Sequence, residues 1–260
     1  MEGPSQVSQG TSDPAELRSF ERSLERSRLS KTRPDRPRTF SMYDREWDLF
    51  EDVFPPVYTR STAVSVELLG LDGGSTRLPE RGSLLEVGCG AGVLAVLGAL
   101  AGCERVVASD INPQAAANAA RNAERHGVQD RLRSVQSDLF AALDPGERFD
   151  TIFWHSNYVR GPEDYEFDSV HDQAYIDPGY EAHRRYLIEA PHWTTPEGSA
   201  LLHFCSRGDI EALRRIAESC DRGLRLLRTI EVHEGEYGDD VVEHLLFEVN
   251  PLNGSAATSS

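Results

Sequence analysis

Residues Leu84 to Gly92 read LLEVGCGAG: a short apolar run, an acid near its end, and glycines at the alternate positions 88, 90 and 92. Glycine lets a backbone turn tightly and approach a ligand where a Cβ would collide. Downstream, the run from Arg105 to Ser109 delivers Asp110. A carboxylate at the carboxyl end of a buried parallel strand sits where open α/β sheets bind ligands, and it can accept both hydroxyls of a ribose. Loop and acid together point to a cofactor that carries a nucleoside. The glycines alone would also suit a helix packed closely on a strand.

The spacing selects among such cofactors. A dinucleotide fingerprint needs Gly-x-Gly-x-x-Gly, but here the third glycine comes one residue early and position 93 is Val. Glu86 lies two residues before the first glycine, where an anion would repel a pyrophosphate and attract the cationic amino-acid end of S-adenosylmethionine (SAM). On Glu86-Val87-Gly88-Cys89-Gly90-Ala91-Gly92 and Asp110 the chain resembles the class I SAM-dependent methyltransferases. The resemblance covers roughly residues 55 to 250. It implies an α/β fold with a seven-stranded, mostly parallel sheet, helices on both faces and a C-terminal antiparallel hairpin. It also implies that Asp138, at the end of the segment RLRSVQSDLF, accepts the adenine amino group with Leu139 beside it, and that Ile111 packs on the adenine ring. A solvated loop aspartate is the alternative for Asp138.

The acceptor side of that fold lies just past the fourth strand, here FDTIFWHSNYV, Phe149 to Val159. The stretch is similar to the Asn-Pro-Pro-Tyr motif of the glutamine and other amino-group methyltransferases. Tyr158 matches the aromatic residue, but His155 stands in place of Asn, and Ser156 and Asn157 replace the prolines. An imidazole of ordinary pKa, about 6.5, can take a proton from an acceptor at neutral pH. Asn157 can receive a substrate N–H, and Tyr158 can stack on the substrate or floor the pocket. For His155 a single structural hydrogen bond is the alternative. Between Pro162 and Glu181, counting Glu181, stand seven carboxylates and no Lys or Arg, interleaved with Tyr165, Phe167, Tyr175 and Tyr180. That mixture suits a cationic small-molecule acceptor, or else simply a solvated face. His171 and His183 add further titratable groups, and no histidine has metal-ligand spacing, so no metal is expected.

The elements that must position these residues alternate strand and helix. Strands are expected at Ser83–Val87, Arg105–Ser109, Arg131–Phe140, Thr151–Trp154 and Ser199–Cys205. Helices are expected over about 91–101, Pro113–His126 with Asn112 as N-cap, Tyr180–Ala190 and Asp209–Ser219. Two final strands, about Leu224–Val232 and Val241–Val249, flank a Gly- and acid-rich turn at 234–240. Residues 39–80 carry Phe40, Trp47, Phe50, Phe54 and Tyr58, which suits a lid or pocket wall, or ordinary packing on the sheet. Residues 1–38 are rich in Ser, Pro, Arg and Glu and are expected to be disordered or loosely helical, with a helix over Pro14–Leu29. The methyltransferase domain is then 39–250, and the tail 251–260 frays.

A formal charge of −16 over 260 residues opposes binding to phosphate backbones and makes nucleic acid a poor partner. No apolar run near the start suits a signal peptide or a membrane span, so no membrane association and a cytoplasmic location are expected. The four cysteines form no Cys-x-x-Cys pair. The expected function is methyl transfer from SAM to a small molecule, nitrogen ahead of oxygen, of the kind met in secondary metabolism. Alternatives are a protein side-chain methyltransferase, a small-molecule O-methyltransferase, a SAM-binding protein without catalysis, and an NAD-linked oxidoreductase, which the glycine spacing disfavours.

Overall fold

The structure is a computed structural model that describes residues 14–74, 76–79, 81–234 and 240–252. Helix α1 (Pro14–Thr32) precedes a hairpin of β1 (Thr39–Met42) and β2 (Arg45–Asp48). The two-residue connection Tyr43-Asp44 has positive φ at both positions, as a tight twist-matched turn requires. A short 3-10 turn at Pro56–Tyr58 leads into α2 (Ser61–Leu69). The alternating part follows: β3 (Ser83–Val87), α3 (Val93–Leu100), β4 (Arg105–Asp110), α4 (Pro113–Arg125), β5 (Leu132–Gln136) and β6 (Phe149–His155). Then come β7 (Val159–Gly161), β8 (Ile176–Pro178), α5 (Glu181–Glu189), β9 (Thr194–Cys205), α6 (Ile210–Ser219), β10 (Arg222–Glu234) and β11 (Asp240–Pro251).

Seven strands form one sheet in the order β10-β11-β9-β6-β3-β4-β5. Its members from β9 to β5 pair in parallel, and β11 runs antiparallel to both neighbours. Strand β3 is buried at every position, as expected of a parallel strand covered on both faces. One apolar cluster joins one face of the sheet to α2, α3 and α4 through residues such as Leu68, Val96 and Ala119. The other cluster joins the opposite face to α5 and α6 through Tyr186, Leu187 and Leu213. The expected α/β architecture with its terminal hairpin is therefore present. The chain order reverses direction at β3, so the crevice between β3 and β6 is where this topology binds ligands.

Asn112 caps α4, its side chain accepting from Gln114 N at 2.9 Å, and Pro113 fills the first helical position. Strand β9 starts five residues before the expected Ser199. The expected turn at 234–240 lies outside the described residues for 235–239, as do 1–13 and 253–260.

Residues 39–80 form the hairpin and α2, and most of their aromatic content is ordinary core. Trp47 is fully buried, its indole N–H donating to Met42 O at 2.9 Å. Three asparagines of and beside α4 strap residues 48–52 down. Asn118 accepts from Phe50 N at 2.9 Å, Asn122 accepts from Asp48 N at 2.8 Å, and Asn112 donates to Asp52 O at 2.7 Å.

The N-terminal segment departs from the expectation of looseness over its described part. Helix α1 runs three residues past Leu29 and packs on β7 and β8 with Phe20 and the serines at 23, 27 and 30 buried. Ser27 Oγ donates to Asp172 Oδ1 at 2.5 Å, Ser30 Oγ meets His171 Nε2 at 2.9 Å, and Tyr175 OH donates to Ser30 Oγ at 2.8 Å. Docking here adds these polar bonds to one apolar anchor, Phe20 packed with Val159 and Ile176, so a reading based on apolar content underrates it.

Candidate cofactor and acceptor site

A cavity of about 210 Å³ opens at the carboxyl ends of β3, β4 and β6. It is lined by residues from the glycine loop, Asp110, Ile111, Asp138, Leu139 and the run Trp154 to Val159, and also by Ser23 and Arg26 of α1. The three loop glycines have φ of 66°, 52° and 76° at positions 88, 90 and 92, a left-handed backbone that side chains disfavour. They do different work. A Cβ at Gly92 would lie 2.7 Å from Ala119 Cβ, so this glycine lets α3 and α4 close up. A Cβ at Gly90 would meet nothing within 4 Å. That open space against bare backbone fits a ligand.

Glu86 is buried, and its Oε2 accepts from Ala95 N at 2.8 Å. Because Gly92 offers no side-chain cap, the carboxylate supplies the acceptor for the first turn of α3. Burial, opposed by that hydrogen bond, pushes its pKa well above the usual carboxylate range. Asp110 receives Gly90 N on Oδ2 and Asn112 N on Oδ1, both at 2.9 Å. Burial raises its pKa to about 6, partly offset by those two backbone donors. Each oxygen keeps lone-pair capacity for a further donor.

Ile111 is half-buried and Leu139 buried, the latter held at φ 49°. Asp138 is exposed, and both its oxygens accept from Arg185 Nη1, at 3.1 and 2.9 Å. Its carboxylate is thus already tied to α5.

On the acceptor side the structure reverses the expected ranking. His155 lies flat against His203, ring centroids 4.4 Å apart and 14° from parallel. His203 is itself held by Ser65 Oγ at 2.7 Å and by His244 Nδ1 at 2.9 Å. Burial, with a smaller contribution from the His244 charge, lowers the His155 pKa to about 3. The imidazole is neutral across the physiological range and a poor proton acceptor there. The base of ordinary pKa expected from the sequence is not what this geometry offers.

Asn157 donates both amide hydrogens to backbone carbonyls, Gln173 O at 2.8 Å and Ile176 O at 2.6 Å. Two acceptor-only partners fix which end of the amide is nitrogen. Its Oδ1 is buried with no hydrogen-bond partner among the described residues. Tyr158 lines the cavity and packs edge-on to Phe204 at 6.4 Å, while its carbonyl accepts from Tyr180 OH at 2.6 Å.

The acidic segment meets the cavity through Val170, His171, Gln173, Ala174 and Tyr175, and none of its seven carboxylates is among the lining residues. Glu163, Asp164, Glu166 and Asp168 are exposed elsewhere, Asp172 anchors α1, and Asp177 Oδ2 meets His183 Nδ1 at 2.6 Å in the core. His183 is buried among Trp154, Tyr180 and Phe204. His171 reaches the cavity wall, its pKa lowered chiefly by burial. Among the described residues no group of three or more His, Cys, Asp or Glu could hold a metal ion, and no helix is long and apolar enough to cross a membrane.

Sequence reasoning missed Arg26 and the asparagine strap. Asn118 and Asn122, four apart on one face of α4, with Asn112 at its cap, are a visible signal for the strap; nothing local marks Arg26.

The family model of ribosomal protein L11 methyltransferases matches residues 61–154 and stops one residue before His155. A ribosomal protein uL3 glutamine methyltransferase of Bordetella pertussis is 34% identical over 125 residues, 45% of this chain and 42% of that protein. A ribosomal protein L11 methyltransferase of Tolumonas auensis is 36% identical over 80 residues, 31% of this chain and 26% of that protein. The chain thus spans less than half the length of these curated relatives. Among solved structures, a Thermus thermophilus 16S rRNA N2 G1207 methyltransferase in complex with AdoMet and guanosine superposes with a TM-score of 0.53 at 16% identity, covering 81% of this chain and 49% of that one. At that identity the likeness speaks for the fold. Relatives that modify ribosomal proteins overturn the expected small-molecule, cationic acceptor, and secondary metabolism goes with it. With the glycine loop, the strand-end acid and the reversed sheet order in place, the chain has the Rossmann-like methyltransferase fold and is similar to SAM-dependent methyltransferases over its cofactor half.

Proposed function

We propose that this chain methylates the side-chain amide nitrogen of a glutamine in a protein. SAM, when bound, supplies an activated methyl group on a sulfonium. Gly88, Gly90 and Gly92 would border its amino-acid end with Glu86 behind them, Asp110 would accept the ribose hydroxyls, and Ile111 and Leu139 would flank the adenine with Asp138 at its amino group.

The observation that carries the acceptor assignment is Asn157, a residue of the cavity lining whose Oδ1 is buried with no hydrogen-bond partner among the described residues. Because both amide hydrogens are spent on Gln173 and Ile176, this group can only accept. It therefore favours an acceptor that carries an N–H. As positive charge gathers on that nitrogen during transfer, the hydrogen bond to Asn157 strengthens, so the residue helps most in the transition state. Tyr158 would hold the plane of the amide.

The lowered imidazole favours an amide over an amine. A lysine amine, with a pKa of about 10.4, must lose a proton before it can attack, and both imidazoles at the cavity, His155 and His171, are weak bases. An amide nitrogen is neutral from the start. The proton it carries after methylation is acidic enough to leave to water without a strong base.

The test is incubation with methyl-labelled SAM and a set of purified ribosomal proteins, with the label located by tandem mass spectrometry. Label on a glutamine side chain is the expected result. Label on lysine alone, or on RNA alone when intact ribosomes are used, would overturn it.

A further inference from the structure

Arg26 is the one lysine or arginine among the described residues lining the cavity, where the acidic side chains are Asp52, Glu86, Asp110 and Asp138. Its guanidinium makes no ion pair or hydrogen bond among the described residues. The helix that carries it is held in place. Ser27 is bonded to Asp172, Ser30 to His171 and Tyr175, and Lys31 Nζ lies 3.1 Å from Asp52 Oδ1. The backbone at Arg26 is therefore held beside the cavity, which its side chain lines.

That position is at the acceptor end. Tyr175, whose phenol feels the Arg26 charge, lies between Gln173 and Ile176, the two residues whose carbonyls hold Asn157. A carboxylate entering a cavity with Asp52 and Asp110 on its wall is repelled unless a cation meets it. A guanidinium presents a planar fork that matches a carboxylate in two hydrogen bonds.

We propose that Arg26 binds a ligand carboxylate at the acceptor end of the cavity, one carried by the polypeptide acceptor beside the methylated residue. This rests on the reading of the cavity as a SAM and amide site. The amino-acid carboxylate of the cofactor has the same chemistry, and the test separates the two sources.

Full-length parent, Arg26→Ala and Arg26→Lys are titrated calorimetrically with S-adenosylhomocysteine and with 5′-methylthioadenosine, which lacks the amino-acid carboxylate. In the presence of S-adenosylhomocysteine they are then titrated with acetyl-glutaminyl-glutamate amide, which carries a carboxylate on the neighbouring residue, and with its neutral isostere acetyl-glutaminyl-glutamine amide. Arg26→Ala is expected to weaken acetyl-glutaminyl-glutamate amide by about tenfold and to leave acetyl-glutaminyl-glutamine amide unchanged, with partial recovery in Arg26→Lys. A loss confined to S-adenosylhomocysteine, sparing methylthioadenosine, would give the carboxylate to the cofactor and overturn the acceptor assignment. If the parent binds S-adenosylhomocysteine and neither ratio moves by more than about twofold, Arg26 has no carboxylate role while the SAM site stands. A folded parent that binds no S-adenosylhomocysteine sinks both readings. Arg26 is exposed, so an unchanged melting temperature in the variants is expected and confirms that they fold.

Discussion

The amide of Gly90 donates to Asp110 Oδ2 at 2.9 Å, so the middle glycine of the loop and the acid at the end of β4 form one unit. A change in either member is a change in the other's geometry.

Asp110→Ala should weaken SAM by about 1.5–3 kcal/mol, the range for charge-assisted hydrogen bonds. The carboxyl has a raised pKa of about 6 in the folded chain. Between the ordinary carboxylate range and pH 6 the folded state therefore holds a proton that the unfolded state releases. This contribution to stability is full at low pH and is lost as pH rises through about 6. Binding runs the other way, since ribose hydroxyls need the ionised form. Affinity for S-adenosylhomocysteine should fall as pH drops from 7 through 6, and the Asp110→Asn variant should lose that dependence; calorimetry across the range checks both.

Asn157→Ala should lower methyl transfer by about a hundredfold while leaving cofactor affinity within a factor of about two. The variant also strands the carbonyls of Gln173 and Ile176, which costs about 1–3 kcal/mol in thermal unfolding. Asn157→Asp keeps the acceptor oxygen but loses both donors. It should be the less stable of the two by calorimetric melting.

His155 should show no titration near 6.5 in a proton NMR series, because its pKa is about 3. The lowered value means that the unfolded chain takes up this proton at higher pH than the folded one. The stability contribution is present above the ordinary imidazole range and is lost as pH falls toward 3. His155→Asn should flatten that part of the pH–stability curve. At saturating SAM, turnover in the parent should lack an acid limb near the ordinary imidazole pKa.

Deleting residues 1–34 should lower the melting temperature clearly, since Phe20 alone buries about 1.5–3 kcal/mol of apolar surface. Ser27→Ala, which leaves Asp172 Oδ1 without that donor, should cost about 1–3 kcal/mol. An unchanged melting temperature in both would show that α1 adds nothing to the domain.

Much of this molecule is legible in one dimension because its signals are local. Glycines at alternate positions, Asp110 after an apolar run, and Asn112-Pro113 before an alanine-rich helix each state their conformation within a few residues. What stays illegible depends on distant partners. The docking of α1 rests on serines, which carry no hydrophobic periodicity and acquire partners only when His171, Asp172 and Tyr175 come alongside. The imidazole of His155 has an ordinary pKa in the sequence and an extraordinary one beside residues 203 and 244. Asn157 does not stand out in the sequence, because the resembled motif has its Asn two positions earlier, at 155. Only the carbonyls at 173 and 176 reveal that its oxygen is the free end.

The contact of Gly92 with Ala119 has a thermodynamic reach. With α4 pressed against its back and Asp110 bonded to its middle, the glycine loop is shaped before any ligand arrives, and little chain entropy remains to be lost on binding. Affinity in this site is then governed by how well the ligand fits a rigid mould. A bulkier residue at 119, although it faces away from the cavity, would act as a softener of that mould and register first as an entropic penalty on association.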